Sequence, residues 1–159
     1  MLDIFTDGAC SGNPGPAGIG VIIQENGKPI KTISRSIGSA TNNIAEYAAL
    51  IFGLQEALIL QAESVRVSTD SELMFQQIRG RYKIKEPFLR VLFELCQPLI
   101  GGFKAFDIRY IPREKNKDAD KLATQAIKKE QVKMVAPTVS LCEAKRNKAV
   151  GEESPSSKG

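Results

Sequence analysis

Ile19-Gly20-Val21-Ile22-Ile23-Gln24-Glu25-Asn26-Gly27-Lys28-Pro29-Ile30-Lys31-Thr32-Ile33-Ser34-Arg35-Ser36-Ile37 is the segment from which the architecture unfolds. Residues 19–25 and 29–37 are rich in β-branched side chains and flank Asn26-Gly27, a pair that favours a type I′ turn because both central residues take positive φ there. The segment therefore reads as an antiparallel hairpin. Upstream, residues 2–7 form a short apolar strand that stops at Asp7-Gly8. Between that strand and the hairpin, residues 8–18 hold four glycines and two prolines. Backbone of that composition turns sharply and approaches a ligand closely. No Gly-Lys-Ser/Thr follows, which excludes a nucleotide P-loop.

Downstream the periodicity becomes helical. Residues 43–61 set Leu50, Leu54 and Leu58 on one stripe. A strand over 65–70, a short helix over 71–78 and a second amphipathic helix over 88–99, entered behind Pro87 and ended near Gly101-Gly102, come next. A strand over 104–111 and a closing helix over 116–129 complete the pattern. A hairpin followed by alternating strands and helices predicts an α/β fold, with a mixed sheet covered on both faces. Residues 1–129 form the expected domain. Residues 130–159 read as a disordered or loosely docked tail, because 132–141 is apolar but interrupted by Pro137 and 143–159 is polar and Ser-rich.

Composition narrows the chemistry. At 159 residues, 42% hydrophobic and 25% charged, the chain has the balance of a single globular domain that needs neither disulfides nor a structural metal. Its three cysteines, Cys10, Cys96 and Cys142, are scattered, and it has no histidine. Ser/His/Asp and Cys/His catalysis, His-containing zinc sites and four-thiolate sites are thereby excluded. The amino terminus lacks a secretory pattern and no stretch is apolar enough to span a bilayer, so the expectation is a cytoplasmic protein with no membrane partner. Net charge is only +4. Between residues 79 and 90, however, Arg79, Arg81, Lys83, Lys85 and Arg90 face the single acid Glu86, with Tyr82 and Phe88 among them. Such a run is either a solvated loop or, beside an active site, a surface for an anionic polymer.

Four acids stand out. Glu46 is in phase with the leucine stripe, where a buried carboxylate is costly unless paired or metal-bound, although Asn43-Ile44-Ala45-Glu46 also fits a helix capping box. Asp7 and Asp70 end two strands, where a turn or a helix cap explains each one singly. Asp120 opens the last helix, where the helix dipole favours it. Open α/β sheets place sites at the carboxyl ends of strands. Four acids gathered there would repel one another, and oxygen-only ligation without histidine or thiolate points to Mg²⁺ or Mn²⁺ as the relieving charge.

Thr6-Asp7-Gly8-Ala9-Cys10-Ser11-Gly12-Asn13-Pro14-Gly15-Pro16, Thr41-Asn42-Asn43-Ile44-Ala45-Glu46, Ser68-Thr69-Asp70-Ser71 and Tyr110-Ile111-Pro112-Arg113-Glu114-Lys115-Asn116-Lys117-Asp118-Ala119-Asp120-Lys121-Leu122-Ala123 resemble, in order and spacing, the motifs of type 1 ribonuclease H. The resemblance covers residues 1 to about 128. It implies the ribonuclease H-like fold, a five-stranded mixed sheet flanked by helices, and hydrolysis of the RNA strand of RNA–DNA hybrids to 5′-phosphate and 3′-hydroxyl ends. It also implies that Asp7, Glu46, Asp70 and Asp120 hold two Mg²⁺ ions, with Mn²⁺ as a substitute. Asp7 would bridge them, Asp120 would support the ion that activates water, and Glu46 with Asp70 would support the ion near the leaving oxygen.

For substrate, the resemblance implies that Gly8, Cys10, Ser11 and Asn13 approach the RNA minor groove, and that Thr41, Asn42 and Asn43 contact the DNA strand. Arg81, Lys83 and Lys85 occupy the region where larger relatives carry a basic handle helix, for which this run is too short, so the chain resembles the handle-less branch. A monomer is expected. Two features depart from the family pattern. The histidine frequent in the loop before the last aspartate is absent, leaving Arg113, Glu114 and Lys115 there, and Glu72 stands where many relatives carry glutamine. Two rival readings remain at this stage: a DNA-strand nuclease of the same fold, and a hybrid-binding module without catalysis.

Overall fold

The computed structural model describes residues 1–135, with side chains through Glu130. Five strands, β1 (Leu2–Cys10), β2 (Gly15–Glu25), β3 (Lys28–Ala40), β4 (Ser64–Thr69) and β5 (Ala105–Tyr110), form one sheet in the order β3-β2-β1-β4-β5. β1, β2 and β3 pair antiparallel, whereas β4 lies parallel to β1 and β5 parallel to β4. The hairpin turn is as expected: Asn26 and Gly27 have φ of 53° and 79° and Glu25 pairs with Lys28. β1 reaches Cys10 rather than stopping at Asp7, because Gly8, Ala9 and Cys10 continue the ladder opposite Ile19, Gly18 and Ala17. β3 forms one edge of the sheet, and its exposed Lys28, Lys31 and Arg35 discourage pairing with another chain.

Helices α1 (Asn42–Ile59), α2 (Glu72–Ile78), α3 (Pro87–Gly101) and α4 (Lys117–Val135) connect and cover the sheet. On one face, Leu50 and Leu54 of α1 pack with Ile4, Val21, Val65 and Val67, all fully buried. Burial of each such side chain is worth about 1.5–3 kcal/mol. Leu89 and Cys96 of α3 close that core. On the other face, Ala119, Ala123 and Ala126 of α4 lie over β2, where the missing side chain of Gly20 admits the Ala119 carbonyl; a Cβ would sit 2.0 Å from that oxygen. Helices thus cover both faces.

α4 runs to Val135, past the expected end at residue 129. Residues 130–135 contain no helix breaker, and the first proline is Pro137. The rest of the expected tail, residues 136–159, lies outside the described residues. Among the described residues no helix is long and apolar enough to cross a membrane.

Candidate active site

The sheet register assembles the first pair of acids. Thr6 pairs with Thr69 as the last step of the parallel β1–β4 ladder, so the next residues, Asp7 within β1 and Asp70 just past the end of β4, stand side by side. Glu46 comes from α1. Its helix is capped by Thr41, whose Oγ1 accepts the Ile44 amide at 3.3 Å. Asn43 is therefore not the cap, and Glu46 lies too far into the helix to complete a capping box. Its Oε1 instead accepts the Gly8 amide of β1. That approach requires a glycine: a Cβ on Gly8 would lie 2.4 Å from the Ala45 carbonyl carbon. Asp70 is likewise not a helix cap, because Ser71 Oγ accepts the Met74 amide at 3.2 Å.

Asp7, Glu46 and Asp70 each offer a carboxylate oxygen within 4.8 Å of the others. Among the described residues no other grouping has metal-ligand spacing. Asp7 and Glu46 are only 5% and 7% exposed, so burial raises the pKa of each above the carboxylate range. The charges of Glu46 and Asp70 raise Asp7 further. For Glu46 the Gly8 amide, a hydrogen bond with Asp7 and the Arg113 charge pull the other way without cancelling desolvation. Asp120, from α4, is a further neighbour that raises Asp7, and it lies outside the close triad. Two buried acids, mutually repelled and offering only hard oxygen donors, suit a dication such as Mg²⁺.

The glycine-rich loop and the start of α1 form one unit. The Asn42 amide donates to Asn13 Oδ1 at 3.1 Å, and the Cys10 thiol donates to Asn42 Oδ1 at 2.9 Å. Ser11, Asn13, Asn42 and Asn43 are exposed. Arg81, Lys83 and Lys85 lie between α2 and α3, in a segment with no extra helix, and line a groove together with Asn43, Tyr82 and Leu89. They make no ion pair among the described residues, whereas Arg79 pairs with Asp107 at 3.5 Å and Arg90 with Glu94 at 3.6 Å. The structure therefore joins Asn43 to the basic segment in one groove, whose lining includes none of the triad acids. Glu72, at the start of α2, is exposed.

Two residues beside the acids, both within the last family motif, have no role that local pattern alone assigns. Arg113 follows Pro112 in a short 3₁₀ turn, where it reads as a surface cation. Asn116 reads as an ordinary residue before a helix, yet it is 2% exposed and its Nδ2 donates to the Thr6 carbonyl at 2.9 Å.

A family model described as reverse transcriptase-like matches residues 5–126. The bifunctional protein Rv2228c of Mycobacterium tuberculosis is 37% identical over 158 residues, which cover 98% of this chain and 42% of that protein. Ribonuclease HI of Halobacterium salinarum is 37% identical over 124 residues, 77% of this chain and 62% of that protein. The chain thus spans about two-fifths of the length of the first curated relatives it matches. Among solved structures, LC11-RNase H1 in complex with an RNA/DNA hybrid superposes with a TM-score of 0.79 at 40% identity, covering 82% of this chain and 99% of that one.

Proposed function

We infer, since this chain belongs to the reverse transcriptase-like family and folds as a ribonuclease H domain, that it is an endonuclease hydrolysing the RNA strand of RNA–DNA hybrids. The observation that carries this reading is the triad of Asp7, Glu46 and Asp70 within 4.8 Å, gathered where the parallel β1–β4 ladder ends and α1 crosses β1. The hybrid bound by a structural neighbour supports the substrate. We assign the work to residues 1–129, in a monomer acting in the cytoplasm.

The donor set supports two Mg²⁺ ions, with Mn²⁺ as a substitute. Asp7 belongs to the triad and also feels Asp120, which suits a ligand shared by two ions: Glu46 and Asp70 would hold one ion with it, and Asp120 the other. When bound, paired dications supply hydroxide at neutral pH and neutralise the departing alkoxide of an in-line displacement, giving 5′-phosphate and 3′-hydroxyl ends. The protein's own contribution is to orient these oxygens. The Gly8 amide aims one Glu46 oxygen, and Arg113 offsets part of the negative charge. The exposed loop of Ser11 and Asn13, tied to Asn42, offers backbone and amides to an RNA minor groove, where the 2′-hydroxyl is read. Arg81, Lys83 and Lys85 suit a phosphate backbone.

Labelled hybrid, double-stranded RNA and double-stranded DNA incubated with Mg²⁺ test the reading. Cleavage of the RNA strand of the hybrid is the expected result. Cleavage of DNA strands would move the assignment to a DNA nuclease of the same fold, and hybrid affinity without metal-dependent turnover would move it to a binding module.

A further inference from the structure

Asn116 sits between the 3₁₀ turn and α4. Its side chain spans 110 positions of sequence to donate to the carbonyl of Thr6, the residue before Asp7. Its backbone carbonyl accepts the amide of Asp120 at 3.1 Å. One residue therefore grips both sides of the Asp7–Asp120 pair, one with its side chain and the other with its backbone. Asn116 Oδ1 makes no hydrogen bond among the described residues, so the bond to Thr6 is the whole polar engagement of a buried amide. Burying an amide with its oxygen unpaired costs free energy, so the residue's presence calls for a reason beyond packing. The same turn rests on bare backbone at Gly20, which pairs with Asp7 across β1 and β2. Docking of α4 does not depend on Asn116 alone, because Ser34 Oγ donates to the Leu122 carbonyl at 2.6 Å.

We propose that Asn116 is a positioning residue that fixes how Asp120 stands against Asp7, and so sets the affinity of the carboxylate cluster for its dication. The proposal rests on the reading of Asp7 and Asp120 as metal ligands. Groups that orient ligands without touching the metal typically change metal affinity 10–100-fold when removed. The Nδ2 bond holds β1 and the first turn of α4 at one spacing. Without it the turn is free to shift along the bare strand at Gly20, carrying Asp120 with it.

The test uses the full chain and two variants at this position. Asn116→Ala removes the donor. Asn116→Thr keeps much of the volume and a favourable residue before a helix, with a hydroxyl too short to reach Thr6. Ser34→Ala is the control, since it removes a hydrogen bond that docks the same helix but does not join it to β1. Mn²⁺ binding to the substrate-free protein is measured by calorimetry, and the KM for hybrid at saturating metal is measured separately. The expected result is Mn²⁺ affinity lower by about tenfold or more in both Asn116 variants, with KM for hybrid unchanged. Ser34→Ala should melt earlier and bind Mn²⁺ as the wild type does. Wild-type Mn²⁺ affinity in Asn116→Thr, or an equal loss in Ser34→Ala, would overturn the proposal. Absence of Mn²⁺ uptake by the wild type would overturn the ligand reading itself, and this proposal with it.

Discussion

Asp7 is where electrostatics and fold meet most sharply: a carboxylate 5% exposed, beside Glu46 and Asp70, in the centre of a sheet. Asp7→Asn keeps the shape and removes the repulsion. It should abolish turnover, at least on the order of the 10²–10³-fold lost when a preorganised group is removed from a reaction centre, as read by single-turnover hybrid cleavage. It should also stabilise the metal-free fold by about 0.5–2 kcal/mol, as relief of functional strain does. A pH dependence follows. Asp7 and Glu46 hold protons more tightly folded than unfolded, so folding takes up protons above their ordinary values of 3.8 and 4.5. Their stabilising contribution is fully present below those values and is lost as pH rises through the folded ones. In EDTA, melting temperatures of wild type and Asp7→Asn should therefore diverge as pH rises from about 5 to about 8. At this scale the acids were legible because Asp7 stands before the glycine-rich loop, Asp70 follows β4 and helix phase places Glu46. Asn116 was not, because a buried asparagine and a surface one have the same local pattern, and what distinguishes it is a carbonyl 110 residues away.

Elements are fixed by partners that a local window does not contain. The hairpin could be read from Asn26-Gly27 alone, since its turn is local chemistry. The extension of β1 to Cys10 depends on β2, and the start of α1 at Asn42 depends on which of three adjacent polar residues caps it. The expectation of Asn43 as cap fails because Thr41 has extended backbone and accepts the Ile44 amide. Moving the cap by two residues is what frees Glu46 for Gly8. Thr41→Ala should cost about 1 kcal/mol in denaturant unfolding. Gly8→Ala should cost about 1–3 kcal/mol through overpacking against Ala45. It should also reduce Mg²⁺-dependent activity, because it separates the Gly8 amide from Glu46; retained activity would mean that this hydrogen bond does not orient the carboxylate.

For the whole molecule, the sheet order brings four remote segments to one end, and that order was legible only as a class, a mixed sheet covered on both faces. The family motifs supplied the rest, since no local periodicity specifies that β4 lies beside β1. The groove with Arg81, Lys83 and Lys85 belongs to this scale because it meets α1 at Asn43. Replacing all three with alanine should weaken hybrid binding across sequences and lower the slope of log affinity against log salt by about one for each phosphate no longer neutralised. An unchanged slope would return them to solvent.

On the proposed reading, dications would relieve the repulsion among Asp7, Glu46 and Asp70. Thermal unfolding of wild type and Asp7→Asn, each in EDTA and in saturating Mg²⁺, measures this directly. Mg²⁺ should raise the melting temperature of the wild type far more than that of Asp7→Asn, and Asp7→Asn should be the more stable of the two in EDTA. A wild type indifferent to Mg²⁺, or an Asp7→Asn variant less stable in EDTA, would contradict it.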